Sequence, residues 1–264
     1  VVSTVSGRSE RTARLADRAE LDLLPDLGAV VATADVVLSI VPPEGAESVA
    51  EEIAGLVLAA SVHPLVVDLN AIAPETSRRL AAVLGRAGCA VVDGSISGPP
   101  PWQADTTRIY LSGERAAEAA ALPLAGVERI VVGLEVGSAS AVKMSTASVY
   151  KGTSALLAHA LLAAHANGVL DHVLDDLRSG SPELVANVAR RLASAGTKSD
   201  RYVAEMREIA LAQSAAGLTP ALFEAMAEVF AELSTSELAD ETPESIAYDV
   251  SLADVLEGLQ ARER

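Results

Sequence analysis

The stretch Val36-Val37-Leu38-Ser39-Ile40-Val41 decides the fold class, because it is an almost unbroken apolar run between Asp35 and Pro42. A strand covered on one face alternates apolar and polar residues, whereas a continuous run of this length is typical of a strand buried on both faces of a parallel sheet. Leu65-Val66-Val67-Asp68-Leu69 repeats the pattern. Further strands are predicted at 1–5, 90–96, 108–112 and 129–132.

Helical patterns separate these strands. They are predicted over 9–19, 45–58 and 75–87, with Pro74 at a first helical position, where its missing N–H has no cost. Strands that alternate with helices of this length indicate βαβ units, and therefore an α/β fold with a Rossmann-type doubly wound sheet.

The character of the chain changes after Gly137. Residues 138–167 are mostly Ala, Ser, Val and Leu, and predict one long helix that is small or apolar on nearly every side. Helices are also predicted over 170–178, 182–195, 199–216 and 219–235. We therefore expect two domains, an α/β domain over 1–136 and an all-α domain over 137–264.

The composition limits the classes of partner. The formal net charge of −16, with no cluster of Lys and Arg, argues against nucleic acid and against an anionic membrane surface. A single cysteine, Cys89, sits in an apolar run and excludes an internal disulfide framework. Because neither a signal peptide nor a membrane-spanning run is recognisable, we expect a cytoplasmic location.

The segment Ser6-Gly7-Arg8-Ser9-Glu10-Arg11 follows the first predicted strand and opens a helix. In dinucleotide-binding folds, a carboxylate at the end of the second strand binds the ribose 2′-hydroxyl, whereas an arginine accommodates a 2′-phosphate. Here the strand ends without a carboxylate, and Arg8, Arg11 and the Ser9 hydroxyl stand beside a helix start. One interpretation is a 2′-phosphate site, which favours NADP over NAD. The other is a helix cap with two solvated arginines.

Five motifs occur in a fixed order and carry a family resemblance. They are GRS at 7–9, ADVVLSIVP at 34–42, VDLNAIAPET at 67–76, DGSISG at 93–98 and VKM at 142–144. The sequence resembles the β-hydroxyacid dehydrogenases, which are related to 6-phosphogluconate dehydrogenase. Its C-terminal half is similar to a less characterised branch, in which Lys-Met is followed after six residues by Lys-Gly, here Lys143-Met144 and Lys151-Gly152.

The resemblance implies a nicotinamide cofactor. The family fold begins with a strand, a Gly-x-Gly-x-x-Gly turn and a helix, and this chain opens on what corresponds to the second strand. We therefore expect the first strand and the glycine-rich loop, whose amides cradle the pyrophosphate, to be missing. The resemblance places Val41, Pro42 and Asn70 at the nicotinamide half. From the residues alone, Pro42 equally ends a strand and Asn70 equally caps a turn.

The same resemblance assigns a substrate loop to Ser97 and Gly98, which hold a carboxylate through a hydroxyl and a backbone N–H. The family often has a second glycine next, whereas this chain continues Pro99-Pro100-Pro101. Because proline has no N–H donor, we expect altered carboxylate binding.

Lys143 matches the family's proton-transferring lysine. The chain has only three lysines, the others being Lys151 and Lys198, so arginine supplies nearly all of its cations. The pKa of lysine falls readily on desolvation, which suits proton transfer. The alternative is a lysine that reaches solvent along the helix. Lys151 lies two turns further on, and Lys151 and Tyr150 are predicted to contact substrate.

Two further positions bear on the site. The family commonly has Asn four residues after the lysine, where this chain has Ala147, so the substrate is expected to differ from simple hydroxyacids. Arg207 matches a family lysine that closes over the nicotinamide, although an exposed helix arginine is the favoured interpretation. The four histidines show no metal-ligand spacing, and no metal site is predicted.

These observations predict an NADP-dependent oxidoreductase, with NAD the less favoured cofactor. Lys143 is the general acid or base, and hydride passes between nicotinamide and a small anionic hydroxyacid or oxoacid. One alternative is an imine reductase, which shares the architecture but usually lacks the lysine. The other is a truncated relic that dimerises without binding a cofactor. Because the 138–167 helix is too apolar to face water, we also predict a homodimer.

Overall fold

The computed structural model describes residues 1–100 and 105–260, so Pro101 of the predicted substrate loop lies outside the described residues. The chain divides into two compact units, Val1–Lys143 and Met144–Arg264. The first contains all the strands found in the described residues, and the second is helical.

Two sheets form the framework of the first unit. Its strands are β1 (Val2–Ser3), β2 (Asp22–Leu23), β3 (Val36–Ser39), β4 (Leu65–Asp68), β5 (Ala90–Ser97), β6 (Thr107–Ser112) and β7 (Val127–Gly133). β1 pairs with β2 in parallel, and the other strands form a sheet in the order β3-β4-β5-β6-β7. β3, β4 and β5 are parallel, and β6 is antiparallel to β5.

Helices flank the sheet and bury both of its faces. They are α1 (Glu10–Arg18), α2 (Leu27–Thr33), α3 (Ala46–Ala60), α4 (Pro74–Arg86) and α5 (Ala116–Ala120). In β4, Val66 packs into one apolar cluster with α3 and α4, while Leu65 and Val67 pack into another with α5. Alternate residues of a strand point to opposite faces, so β4 is buried on both sides, and the predicted α/β class is confirmed.

The second unit contains the remaining helices of the described residues. α6 (Ser138–Ala166) begins in the first unit, and the division between the units falls within it. It is followed by α7 (Leu170–Gly180), α8 (Pro182–Val185), α9 (Val188–Gly196), α10 (Ser199–Ala215), α11 (Ala221–Leu233) and α12 (Leu252–Gly258). The sequence placed the domain boundary at 136/137, whereas the contacts place it at 143/144, because the first turns of α6 are bound to β5.

One sequence prediction about the helices differs from the structure. The single helix predicted over 182–195 is wrong: Asn187, at a φ of +56°, separates α8 from α9. Asn is one of the few residues that adopts this left-handed conformation readily. The single chain does not cover the 138–167 helix on every side, because Val149, Tyr150 and Leu156 of α6 are exposed.

Within residues 1–100 and 105–260, no helix combines the length and hydropathy needed to cross a bilayer. The same residues contain no group of three or more His, Cys, Asp or Glu side chains arranged to hold a metal ion.

Candidate active site

The loops that follow β3 and β4 meet at the carboxyl edge of the sheet. Asn70 joins them: its Oδ1 accepts a hydrogen bond from the Val41 N–H at 2.7 Å, and its Nδ2 donates to the Ser39 hydroxyl at 3.2 Å and to the Asp68 carboxyl. Ligands of open α/β sheets bind outside this edge. The side chain of Asn70 is buried and makes all of these hydrogen bonds within the protein, so it holds the Val41-Pro42 loop in place.

Asp68 ends β4 beneath this loop. Burial, with a smaller contribution from the neighbouring Asp93 carboxylate, raises its pKa to about 7 against the hydrogen bonds from Asn70, which lower it. Its Oδ2 is buried and has no hydrogen-bond partner among the described residues. This carboxyl therefore gives up its proton less readily than an exposed aspartate does.

The predicted substrate loop leaves the end of β5. Gly98 has a φ of +104°, and a Cβ at this position would collide with the backbone oxygen of Thr106, so glycine is required. The Thr107 hydroxyl donates to the Pro99 carbonyl oxygen at 2.5 Å and holds the next residue of the loop. Ser97 is the last residue of β5 and is half-buried.

Lys143 reaches the same loop. Its Nζ donates to the Ile96 carbonyl oxygen at 2.6 Å, one residue before Ser97. The lysine side chain is half-buried, and its backbone lies in the second turn of α6. The structure therefore brings together three of the predicted residues, namely Lys143, Ser97 and Gly98.

Asp93 fixes the start of the helix that carries Lys143. Its Oδ2 accepts from the N–H groups of Gly137 and Ser140 at 2.9 and 3.0 Å and from the Ser112 hydroxyl at 2.9 Å. Its Oδ1 accepts from the hydroxyls of Ser77 at 3.0 Å and Ser140 at 2.6 Å. A buried carboxylate thus caps the helix N-terminus, where negative charge is favoured by the helix dipole. The sequence contained Asp93 in a motif but gave no sign of this role, because its partners are spread from 77 to 140.

The turn after β1 carries the residues predicted to meet a 2′-phosphate. Gly7 has a φ of +69°, and the Arg8 N–H donates to the Val5 carbonyl oxygen at 3.0 Å, which closes a tight turn. Ser9 caps α1 by accepting from the Thr12 N–H at 3.3 Å, as the helix-cap interpretation requires. Arg8 and Arg11 are both exposed.

The remaining predicted residues lie in the second unit. Lys151 forms a buried ion pair with Glu205, and Tyr150 is exposed. Arg207 is exposed on α10. The sequence did not identify Glu205 as the partner of Lys151, because a glutamate in an amphipathic helix gives no signal that it is buried.

Comparison with known proteins defines the class of the chain. Residues 2–126 match the NAD binding domain of 6-phosphogluconate dehydrogenase, and residues 164–233 match a domain of unknown function, DUF1932. An uncharacterized 28.5 kDa protein of Methanothermus fervidus is 28% identical over 180 residues, which are 67% of this chain and 66% of that protein, just under two thirds of its length.

Solved structures extend the likeness over most of the chain. A conserved protein of unknown function, reported to be structurally similar to 3-hydroxyacid dehydrogenases, is 30% identical, with a TM-score of 0.64 over 89% of this chain and 87% of that one. Mycobacterium tuberculosis 3-hydroxyisobutyrate dehydrogenase, solved with L-serine, is 21% identical and shares the fold, with a TM-score of 0.63 over 96% of this chain and 89% of that one. The chain therefore combines an NAD binding domain of the 6-phosphogluconate dehydrogenase type with a DUF1932 domain, and it shares the fold of the 3-hydroxyacid dehydrogenases.

Proposed function

We propose that the chain is an NADP-dependent oxidoreductase that interconverts a small anionic hydroxyacid and the corresponding oxoacid. The observation that supports this best is the contact of 2.6 Å between Lys143 Nζ and the Ile96 carbonyl oxygen. It sets an ammonium group beside the Ser97-Gly98 loop, so a proton donor and a candidate carboxylate site occupy one end of β5.

The proposed roles follow from the chemistry of each group. A bound nicotinamide supplies or accepts the hydride. The Ser97 hydroxyl and the Gly98 N–H bind the substrate carboxylate, while Lys143 holds the proton that moves to or from the substrate oxygen. Val41 and Pro42, positioned by Asn70, form the loop against which the nicotinamide half is held.

The turn after β1 fits the adenosine end of NADP better than that of NAD. Arg8 and Arg11 provide two guanidinium groups, which suit a phosphate. The acidic residue nearest in sequence, Glu10, lies in the first turn of α1 and is ion-paired with Arg14 at 3.7 Å. A Cβ added at Gly7 would meet no atom within 4 Å, so the turn is open beside this residue.

Substitution of Lys143 tests the catalytic role. In a panel of small hydroxyacids with NADP, Lys143→Met should lower kcat by about 10²–10⁴-fold, the usual contribution of a general acid or base, and should leave the Kd of NADP almost unchanged. Lys143→Arg should not restore turnover, because guanidinium does not release its proton at working pH.

A charge-matched control separates this role from a general effect of charge. Arg86, an exposed residue at the end of α4, is the control position, and Arg86→Met should keep full turnover. If Lys143→Met also keeps full turnover on a hydroxyacid, the assignment fails. Reduction of a cyclic imine that survives Lys143→Met would instead favour the imine reductase alternative.

Cofactor choice is tested by titration of NADP and NAD, each followed by fluorescence and calorimetry. Arg8→Ala should weaken NADP binding by about tenfold or more, the effect of losing one charge-assisted phosphate contact, and should leave NAD binding nearly unchanged. Arg18→Ala, which removes an exposed arginine from the far end of α1, is the matched control. NAD binding that is equal to or tighter than NADP binding would contradict the proposal, and binding of neither would favour the relic.

A further inference from the structure

The second unit contains a cavity of about 540 Å³. This volume falls within the range of roughly 300–1,000 Å³ that is typical of small-molecule sites. Four helices of the unit, α6, α8, α9 and α10, contribute to its wall. The polar groups that matter here belong to Tyr150, Lys151, Glu183, Arg191, Ser194 and Tyr202.

Lys151 is held rigidly at the wall of the cavity. Its ammonium is ion-paired with Glu205 and lies 4.5 Å from the centroid of the Tyr202 ring. The side chains of Lys151 and Glu205 are only 14% and 6% exposed. Because the removal of two charges from water is costly, stability alone is a weak reason to keep this pair.

The charges around the cavity do not cancel locally. Glu205 Oε1 also forms an ion pair with Arg201 Nε at 3.1 Å, so one carboxylate is shared by two cations. Arg191 lines the cavity from α9, half-buried, and donates to the Leu184 carbonyl oxygen at 3.5 Å. The acidic residue that lines the wall is Glu183 of α8, which is exposed.

The hydroxyl of Ser194 adds a neutral donor beside Arg191. Lys198 Nζ donates to this hydroxyl at 2.8 Å, which leaves the serine hydrogen to be donated elsewhere. Burial, and to a smaller extent the nearby Arg201, lower the pKa of Lys198, while Glu244 acts in the opposite direction. The hydroxyl of Ser154, in contrast, donates back to the Tyr150 carbonyl oxygen within α6.

We propose that this cavity binds the acid group of a small anion, a carboxylate or a phosphate, through Lys151, Arg191 and Ser194. The planar guanidinium of Arg191 can bind two oxygens of such a group together, while Lys151 contributes a fixed positive charge. The proposal goes beyond the proposed hydride transfer, because binding at this site requires no dinucleotide and involves the second unit alone.

The test measures binding of inorganic phosphate and of malonate to the full chain without cofactor, by calorimetry and by NMR of assigned amides. Saturable binding of either anion at one site is expected, with the largest shifts in α6 and α9. Phosphate alone, or malonate alone, would support the site and identify the acid group it prefers. Lys151→Met and Arg191→Gln should each weaken binding by about tenfold or more.

Two further variants keep the test decisive. Arg190→Gln removes the same charge from the adjacent, exposed residue, which stacks on Tyr248 at 4.7 Å and does not line the cavity, and it should bind normally. Lys151→Met/Glu205→Gln removes the ion pair as a unit, so no buried charge is left uncompensated, and it should fold but lose binding.

Absence of saturable binding by both anions, or equal binding by wild type and the cavity variants, would overturn the proposal. Failure of the proposed hydride transfer would leave these measurements unaffected.

Discussion

Asp68 is the residue whose protonation links the site to pH. Its pKa is raised from 3.8 to about 7, so the folded state holds the proton more tightly than the unfolded chain does. The stabilising contribution of the neutral carboxyl is therefore complete below about pH 4 and is lost as pH rises through about 7. Above that pH, the charged carboxylate is buried with Oδ2 unpartnered.

Asp68→Asn should remove this dependence. The amide oxygen can still accept from Asn70, and the amide nitrogen replaces the oxygen that has no partner. We expect the variant to exceed wild type in free energy of unfolding at pH 8 by a few kcal/mol, and to match it near pH 4. Urea denaturation at the two pH values measures the difference. An Asp35→Asn control, at an exposed carboxylate just before β3, should show no such change. A pH-independent gap between Asp68→Asn and wild type would contradict the argument.

The residues at the sheet edge could be located from sequence, but their contacts could not. Lys143 and the Ser97-Gly98 loop were predicted on motif order, and the structure joins them through Ile96. The internal bonds of Asn70 could not be foreseen, because they depend on where β3 and β4 end relative to each other. The assignments of these residues to substrate and cofactor remain predictions.

The start of α6 is held by the Asp93 carboxylate, a group that lies outside the helix. Asp93→Asn would keep the size of the side chain but replace one acceptor oxygen by a donor nitrogen, opposite donors at Gly137, Ser140 and Ser112. Because each buried donor left unpaired costs about 1–3 kcal/mol, we expect the free energy of unfolding to fall by at least about 2 kcal/mol.

Asp93→Asn should also destabilise the start of α6 locally, in addition to lowering the free energy of unfolding of the whole chain. Hydrogen exchange should accelerate at the amides of Gly137 and Ser140 more than in α4, and kcat should fall more than the Kd of NADP rises. Urea denaturation and exchange followed by mass spectrometry give the two readouts. Unchanged protection at the start of α6 would show that other contacts hold the helix.

The sequence predicted the secondary-structure elements that have a clear apolar pattern. β3 and β4 have continuous apolar runs, and α6 lacks any internal breaker except Gly152. β2, α2 and α5 were missed because they are short and their patterns are weak. The antiparallel direction of β6 follows from a link of only residues 98–106, which is shorter than the dozen or more residues that a parallel crossover requires.

At the scale of the whole molecule, the exposed face of α6 favours the predicted homodimer. Val149 and Leu156 are each 63% exposed in the single chain, and Ala160 and Ala163 are exposed further along the helix. Their spacing places them on one side of a helix, which forms an apolar stripe. A second copy of the same stripe is the partner that we propose.

Light scattering at micromolar concentration should therefore give twice the monomer mass. If the dimer is obligate, its interface should bury more than about 2,000 Å². Leu156→Glu should shift the protein to monomer, because two carboxylates would meet across the two-fold axis. Leu58→Glu, at a residue of α3 that is also 63% exposed, is the control and should remain dimeric. A wild-type chain that is monomeric under these conditions would refute the prediction.

The scarcity of lysine has a practical consequence for chemical labelling. Lys143, Lys151 and Lys198 are the only lysines of the chain, and all three are half-buried. An amine-reactive reagent therefore has few side-chain targets, and its reaction with a lysine should accelerate when the unit that carries that lysine opens. Lys143 would report opening of the first unit, and the other two would report opening of the second.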